Sequence, residues 1–152
     1  MWCKMIISFF GHRDFFDENI KREDVVSLIE SKAKEEPVDF YLGQYGKFDA
    51  FAYDCAKLYK EKHPTAKLIF VTPYIHPNYA LLKNVKERFD EVIYPEIESA
   101  PKRYAISKRN NWIIGHSDYI IFYVYNHFGG AFSSLNQAIK HNIKFINLAI
   151  SD

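Results

Sequence analysis

Short, uninterrupted apolar runs alternate with longer amphipathic stretches along this chain. The runs are Lys4 to Phe10, Val38 to Leu42, Lys67 to Thr72, Glu91 to Tyr94, Asp118 to Tyr125 and Lys144 to Ile150. Each reads as a strand. Between them, Asn19 to Glu36 places Val25, Leu28, Ile29 and Ala33 on one face, and Phe48 to Lys62 repeats Phe51, Ala52, Cys55, Leu58 and Tyr59 at helical spacing. Tyr79 to Phe89, Ser99 to Gly115 and Ser133 to His141 read as three further helices. Asp17 or Asn19 can cap the first helix and Pro37 ends it. Pro101 opens the fourth helix near its first turn, and Gly115 fits its C-terminal cap. Strands that are continuous apolar runs, rather than alternating ones, are those covered on both faces. The pattern therefore predicts an α/β, three-layer Rossmann-like domain over residues 1–152: a mostly parallel sheet of about six strands, with helices on both faces.

In such a sheet, ligands bind outside the carboxyl ends of the strands. Five of the six glycines fall in the strand-to-helix loops there: Gly11, Gly43, Gly46, Gly129 and Gly130. Glycine lets backbone come close to a ligand, and a helix N-terminus beside it offers N–H groups to phosphate. The alternative is that these glycines only make tight turns. After the first strand, Gly11-His12-Arg13-Asp14 offers a guanidinium fork suited to phosphate and an imidazole that can donate or titrate. The bland counterpart is a solvated Arg13–Asp14 pair and a surface His12. Asp49, in the first turn of the second helix, either caps that helix or bonds ribose hydroxyls or a base. Tyr74 or His76 can cover a base, or their loop simply packs. Lys102, Arg103, Lys108 and Arg109 make the fourth helix basic. Arg109-Asn110, a polar pair near an otherwise apolar helix end, can point into the site. Neither GxGxxG nor a P-loop is present, and neither HExxH nor GxSxG occurs. No metal and no cofactor are implied, and Cys55 reads as core.

Composition narrows the picture. The chain has 152 residues, enough for one buried core but too few for two full-sized domains with a linker. Twenty Lys and Arg against 19 Asp and Glu give a net charge of +1, which argues against nucleic acid as a partner. Cys3 and Cys55 form no CxxC pair, so a reducing, cytoplasmic setting is expected. The longest apolar run, Tyr119 to Tyr125, falls far short of the roughly 20 residues that span a membrane. No signal-peptide pattern opens the chain. Aromatic residues reach 17%, with 13 Phe and 11 Tyr, more than a small core readily absorbs, so a homo-oligomer is expected.

Taken in order, the loops resemble the SLOG superfamily, which joins DprA/Smf proteins with the LOG phosphoribohydrolases, and within it the small YspA/YpsA-like branch. The matching pieces are Phe10-Gly11-His12-Arg13, then Gly43-x-x-Gly46-x-x-Asp49-x-x-Ala52-x-x-x-Ala56, and Lys67-Leu68 through Pro73-Tyr74. Lys108-Arg109-Asn110-x-Trp112, Ser117-Asp118, Gly129-Gly130 and Ala138 follow. The resemblance implies a nucleotide-binding domain. Gly129 and Gly130 would hold phosphate at the last helix, with Ser133 or Ser134 as a hydroxyl donor. Gly11, His12 and Arg13 would form one wall, Gly43, Gly46 and Asp49 another, and Arg109 and Asn110 would complete the site. LOG enzymes carry PGGxGTxxE, whose Glu serves in cleaving the N-glycosidic bond. Here the stretch runs from Phe128 to Asn136 and has neither that Glu nor the Thr.

Three functions follow. The leading one is a sensor or sequestering protein that binds a nucleotide or nucleotide-derived ligand without strong catalysis. The second is a hydrolase or transferase acting at a nucleotide N-glycosidic bond, with Asp49, Asp14 or Glu98 supplying the carboxylate that oxocarbenium-like charge requires. The third is DprA-like binding of single-stranded DNA, for which the aromatic residues would stack bases.

Overall fold

The computed structural model describes residues 4–73, 79–95 and 101–150. Cys3, Tyr74, Ile75, His76 and Glu98 lie outside those residues, as does the side chain of Lys102. Along the chain run β1 (Met5–Gly11), α1 (Arg22–Ala33), β2 (Val38–Leu42), α2 (Lys47–Lys62), β3 (Lys67–Val71), α3 (Tyr79–Arg88) and β4 (Glu91–Ile93). A 3₁₀ turn (Lys102–Tyr104) leads into α4 (Ala105–His116), followed by β5 (Tyr119–Tyr123), α5 (Gly130–Lys140) and β6 (Lys144–Asn147).

The six strands form one sheet in the order β4-β3-β2-β1-β5-β6. Every pairing is parallel. This is the Rossmann-like α/β architecture that the alternation predicted. Strands β2 and β5 are buried along their whole length, as two covered faces require. Alternate side chains go to opposite cores. Ile7 and Phe9 of β1 join Val25, Ile29, Phe48, Ala52 and Tyr59 from α1 and α2, with Val85 of α3. Phe10 joins Ile113, Ile114 and Ala138 from α4 and α5 on the other face. Fully buried phenylalanines such as Phe40, Phe48 and Phe122 contribute about 1.5–3 kcal/mol each by leaving water. Ser8, which β1 turns toward the second core, is satisfied there by Ser117 at 2.5 Å, and Ser117 Oγ donates to the Ile113 carbonyl. Cys55 is buried, as expected. Among the described residues, no helix is long and apolar enough to cross a membrane.

Three terminal expectations are corrected. Neither Asp17 nor Asn19 caps α1: Lys21 stands at the cap without a side-chain bond. Asp17 is engaged elsewhere, accepting from the Asn19 N–H and from the Tyr123 hydroxyl at 2.9 Å. Burial, and then the Asp17 carboxylate, push the Tyr123 phenol up to about 12. Gly115 is not a C-terminal cap either. It lies inside α4, and Ser117 follows the helix in extended conformation. Finally, α5 starts at Gly130 rather than Ser133. Gly129, at φ +93°, turns the chain out of its path from β5, and its carbonyl accepts the Ser133 N–H.

Candidate nucleotide site at the carboxyl edge

The strand order reverses between β1 and β5. To one side lie strands followed by α1, α2 and α3, to the other β6. Loops on the two sides diverge at such a point and leave a crevice. Here they enclose a cavity of about 290 Å3. Gly11, His12 and Arg13 from the end of β1, Gly43, Tyr45 and Asp49 from the β2–α2 connection, Arg109 and Asn110 from α4, and Gly130 from α5 line it. The separate loops singled out in the sequence are therefore brought together at one place.

Close packing explains three of the glycines. A Cβ on Gly11 would fall within the Phe48 ring. A Cβ on Gly43 would lie 2.9 Å from both Arg109 Nη1 and Asp49 Oδ2, so the bare backbone there leaves room for both groups. Gly46 combines φ +146° with an approach to Arg13 Cα of 2.7 Å for a notional Cβ. Beside it, the Lys47 N–H donates to the Arg13 carbonyl at 2.9 Å. This ties the β1–α1 and β2–α2 loops together. Gly129 and Gly130 differ from these, because a Cβ on either meets nothing within 4 Å. The start of α5 is open, with its positive dipole end facing the crevice.

Arg109 is 5% exposed, although it is a charged residue on a helix. Its Nη1 donates to the Val71 carbonyl at the end of β3 (3.1 Å) and its Nε to Asn110 Oδ1 (3.0 Å). The guanidinium lies 5.2 Å from the Tyr45 ring centre. Asp49 Oδ2 accepts the Tyr45 N–H at 2.8 Å, folding the loop back onto the first turn of α2. Burial raises the Asp49 carboxyl above its ordinary value, against the pull of the Tyr45 N–H and of the Arg109 and Arg13 charges. The carboxyl thus resists ionisation more than a solvated aspartate does.

Other expected residues are engaged elsewhere or stand apart from the cavity wall. His12 lines it, but its Nε2 accepts from the Tyr125 N–H at 3.0 Å and the Asn126 N–H at 3.4 Å. The proton of the ring then sits on Nδ1, and His12 fixes the β5–α5 loop. Asp14 and Ser133 are exposed and do not line the cavity, so Asp49 is the carboxyl inside it. Gly46 and Gly129 are likewise not among the lining residues. Sequence reasoning missed Tyr41, Tyr45 and Ile106 as lining residues. Only Tyr45 carried a signal, standing between two singled-out glycines.

No family model matches this chain, and no curated protein sequence does. Its fold is, however, that of solved DNA processing protein A structures. The chain is similar to DNA processing protein A from Helicobacter pylori with a TM-score of 0.60 at 18% identity, over 97% of this chain and 68% of that one. It is similar to DNA processing protein A (DprA) from Streptococcus pneumoniae with a TM-score of 0.64 at 16% identity. That match takes in 93% of this chain and 49% of the other, so the chain spans about half the length of the pneumococcal protein. The Helicobacter protein is described by a single-stranded DNA binding mode. That likeness overturns the expectation, drawn from net charge, that nucleic acid is not a partner. A net charge of +1 sums over the whole chain, whereas phosphate answers to the charges within a screening length of it.

Proposed function

We propose that this chain binds single-stranded DNA at its carboxyl-edge cavity, one nucleotide unit entering while the strand continues outside. The observation that carries the reading is a buried arginine and an unobstructed helix start facing one crevice, in a fold shared with DNA processing protein A. Phosphate sits at the Gly129–Gly130 start of α5, within reach of Arg13 and Arg109. Asn110 and Asp49 face the sugar or base edge. Stacking on Tyr45 is the natural contact for a base, since every base has a π-face.

A second reading is favoured by the half-buried Asp49 that lines the cavity: a free nucleotide, held whole. In that case Asp49, whose raised affinity for its proton suits an acid, is the carboxyl available for work at the N-glycosidic bond. Assignment to the YspA/YpsA-like branch and self-association belong to the proposal and rest on motif order and aromatic content.

The test is anisotropy of labelled oligothymidylates, titrated with protein at several salt concentrations, alongside competition by mononucleotides. Binding whose logarithm falls with log salt by about 0.7 per phosphate contacted supports the strand. Competition by mononucleotide with no oligonucleotide binding replaces it with the second reading. No response to either refutes both.

A further inference from the structure

A second depression lies beside the first, on the outer side of the loops that form its wall. It measures about 460 Å3 and is lined by Phe15, Phe51, Lys21, Arg22 and Lys47, with Glu23 and Asp54 also on its wall. The two depressions share a divider. Arg13 lines the first and Lys47 the second, and the Lys47 N–H is bonded to the Arg13 carbonyl. Phe15 and Phe51 pack with ring centres 5.1 Å apart and planes tilted by 44°, giving an aromatic floor. Phe16, next in the chain to Phe15, is 76% exposed, the highest value among the large apolar side chains described. Arg22 is in loose contact with Asp54 at 4.0 Å, both more than half exposed, so that pair contributes little. Lys21 and Lys47 are in no ion pair among the described residues.

We propose that this groove is a second nucleotide subsite, into which the strand passes over the Arg13–Lys47 divider. The inference rests on the single-strand reading of the first cavity and extends it by a direction and a length. Lys21 and Lys47 take successive phosphates, and the Phe51 ring of the groove wall takes a base, with the exposed Phe16, which follows Phe15 in the chain, as a second aromatic contact. A basic rim beside aromatic side chains is the combination that binds single strands without reading their sequence. An acidic peptide would use the lysines but leave the aromatic floor uncovered.

The experiment compares the protein with the double variant Lys21→Glu, Lys47→Glu, and with Phe16→Ala. A second charge-reversed variant, Lys140→Glu, Lys144→Glu, carries the same change in net charge at α5 and β6, away from the groove. Each is titrated with thymidine monophosphate and with oligothymidylates of increasing length. The groove variants are expected to bind the mononucleotide as the parent does, and to lose at least tenfold in affinity for the longer oligonucleotides. The salt slope of the lysine variant should flatten by about 1.4, two phosphates at 0.7 each. The distant variant should keep both affinity and slope. Equal losses in the groove and distant variants, or an unchanged slope in the groove variant, overturn the second subsite while the first stands. If the parent binds no oligonucleotide, the single-strand reading and the subsite fall together.

Discussion

Gly130→Asp separates binding from folding more cleanly than any other change at the cavity. Gly130 is the first residue of α5, its φ lies outside the left-handed region, and a Cβ there meets no atom within 4 Å. The fold has room for the side chain. An acid in the first turn also favours the helix, by about 0.3–1 kcal/mol. The same carboxylate would stand roughly 5 Å from a phosphate held at the helix start. At an effective dielectric of about 20, that repulsion is about 3 kcal/mol, and screening over a length of about 8 Å reduces it to roughly 2 kcal/mol. The dissociation constant for oligothymidylate should rise roughly 30-fold. Gly130→Ala, which occupies the space without charge, should stay within about twofold. Anisotropy titrations give the affinities, and thermal unfolding checks that the melting midpoint of Gly130→Asp is held or raised. An unchanged dissociation constant in a variant that melts normally would refute phosphate binding at this helix start.

Arg109→Ala should weaken binding at least tenfold and cost about 1–3 kcal/mol of stability, since the Val71 carbonyl loses a buried donor; Arg109→Lys should recover only part of the affinity, because one ammonium cannot reproduce the fork, and paired binding and denaturant titrations check both. Gly46→Ala should destabilise by about 1–3 kcal/mol through its φ of +146° and the Arg13 backbone. Gly43→Ala instead presses on the far ends of Arg109 and Asp49, so its affinity should fall with little change in melting. Asp49→Asn bears on pH. The fold prefers the protonated Asp49 carboxyl, so the parent loses stability relative to the variant as pH rises from the ordinary value of 3.8 through the raised one. Denaturant midpoints measured from acid to neutral pH should show the gap opening in favour of the variant across that window and staying constant above it; a gap that closes with rising pH would reverse the assignment.

The fold was legible because its strands are apolar on both sides and its helices are not. That contrast survives without any knowledge of partners. Val38–Leu42 falls on β2 to the residue. Helix ends were less legible, because tertiary contacts take the caps. Asp17 reads as an N-cap until Tyr123, more than a hundred residues on, claims its carboxylate. Gly115 reads as a C-cap until Ser117 ends α4. The glycines lie in the loops that gather around the cavity, but for two different reasons that sequence does not separate. Gly11, Gly43 and Gly46 are small because a neighbouring side chain or backbone occupies the space of a Cβ. Gly129 and Gly130 stand in the open. The role of His12 as an acceptor for two backbone N–H groups, and the contact of Tyr45 with Arg109, arise only when β5 and α4 are brought beside the first two loops.

The charge argument against nucleic acid failed for a related reason. Three of the 19 acids lie where the strands begin, each matched by a base there. Asp39 pairs with Lys4, Asp90 with Lys60 and Glu91 with Lys67. Asp39, Asp90 and Glu91 lie at or beside the amino ends of β2 and β4, at the opposite edge from the cavity. Among the described residues, the cations that line the cavity are Arg13 and Arg109, with Asp49, reluctant to ionise, against them. Because screening at physiological salt cuts off interactions beyond about 8 Å, a phosphate at α5 responds to that second set and not to the first. Two chains of equal net charge can then differ widely in their affinity for a strand, according to which edge of the sheet holds the unmatched cations.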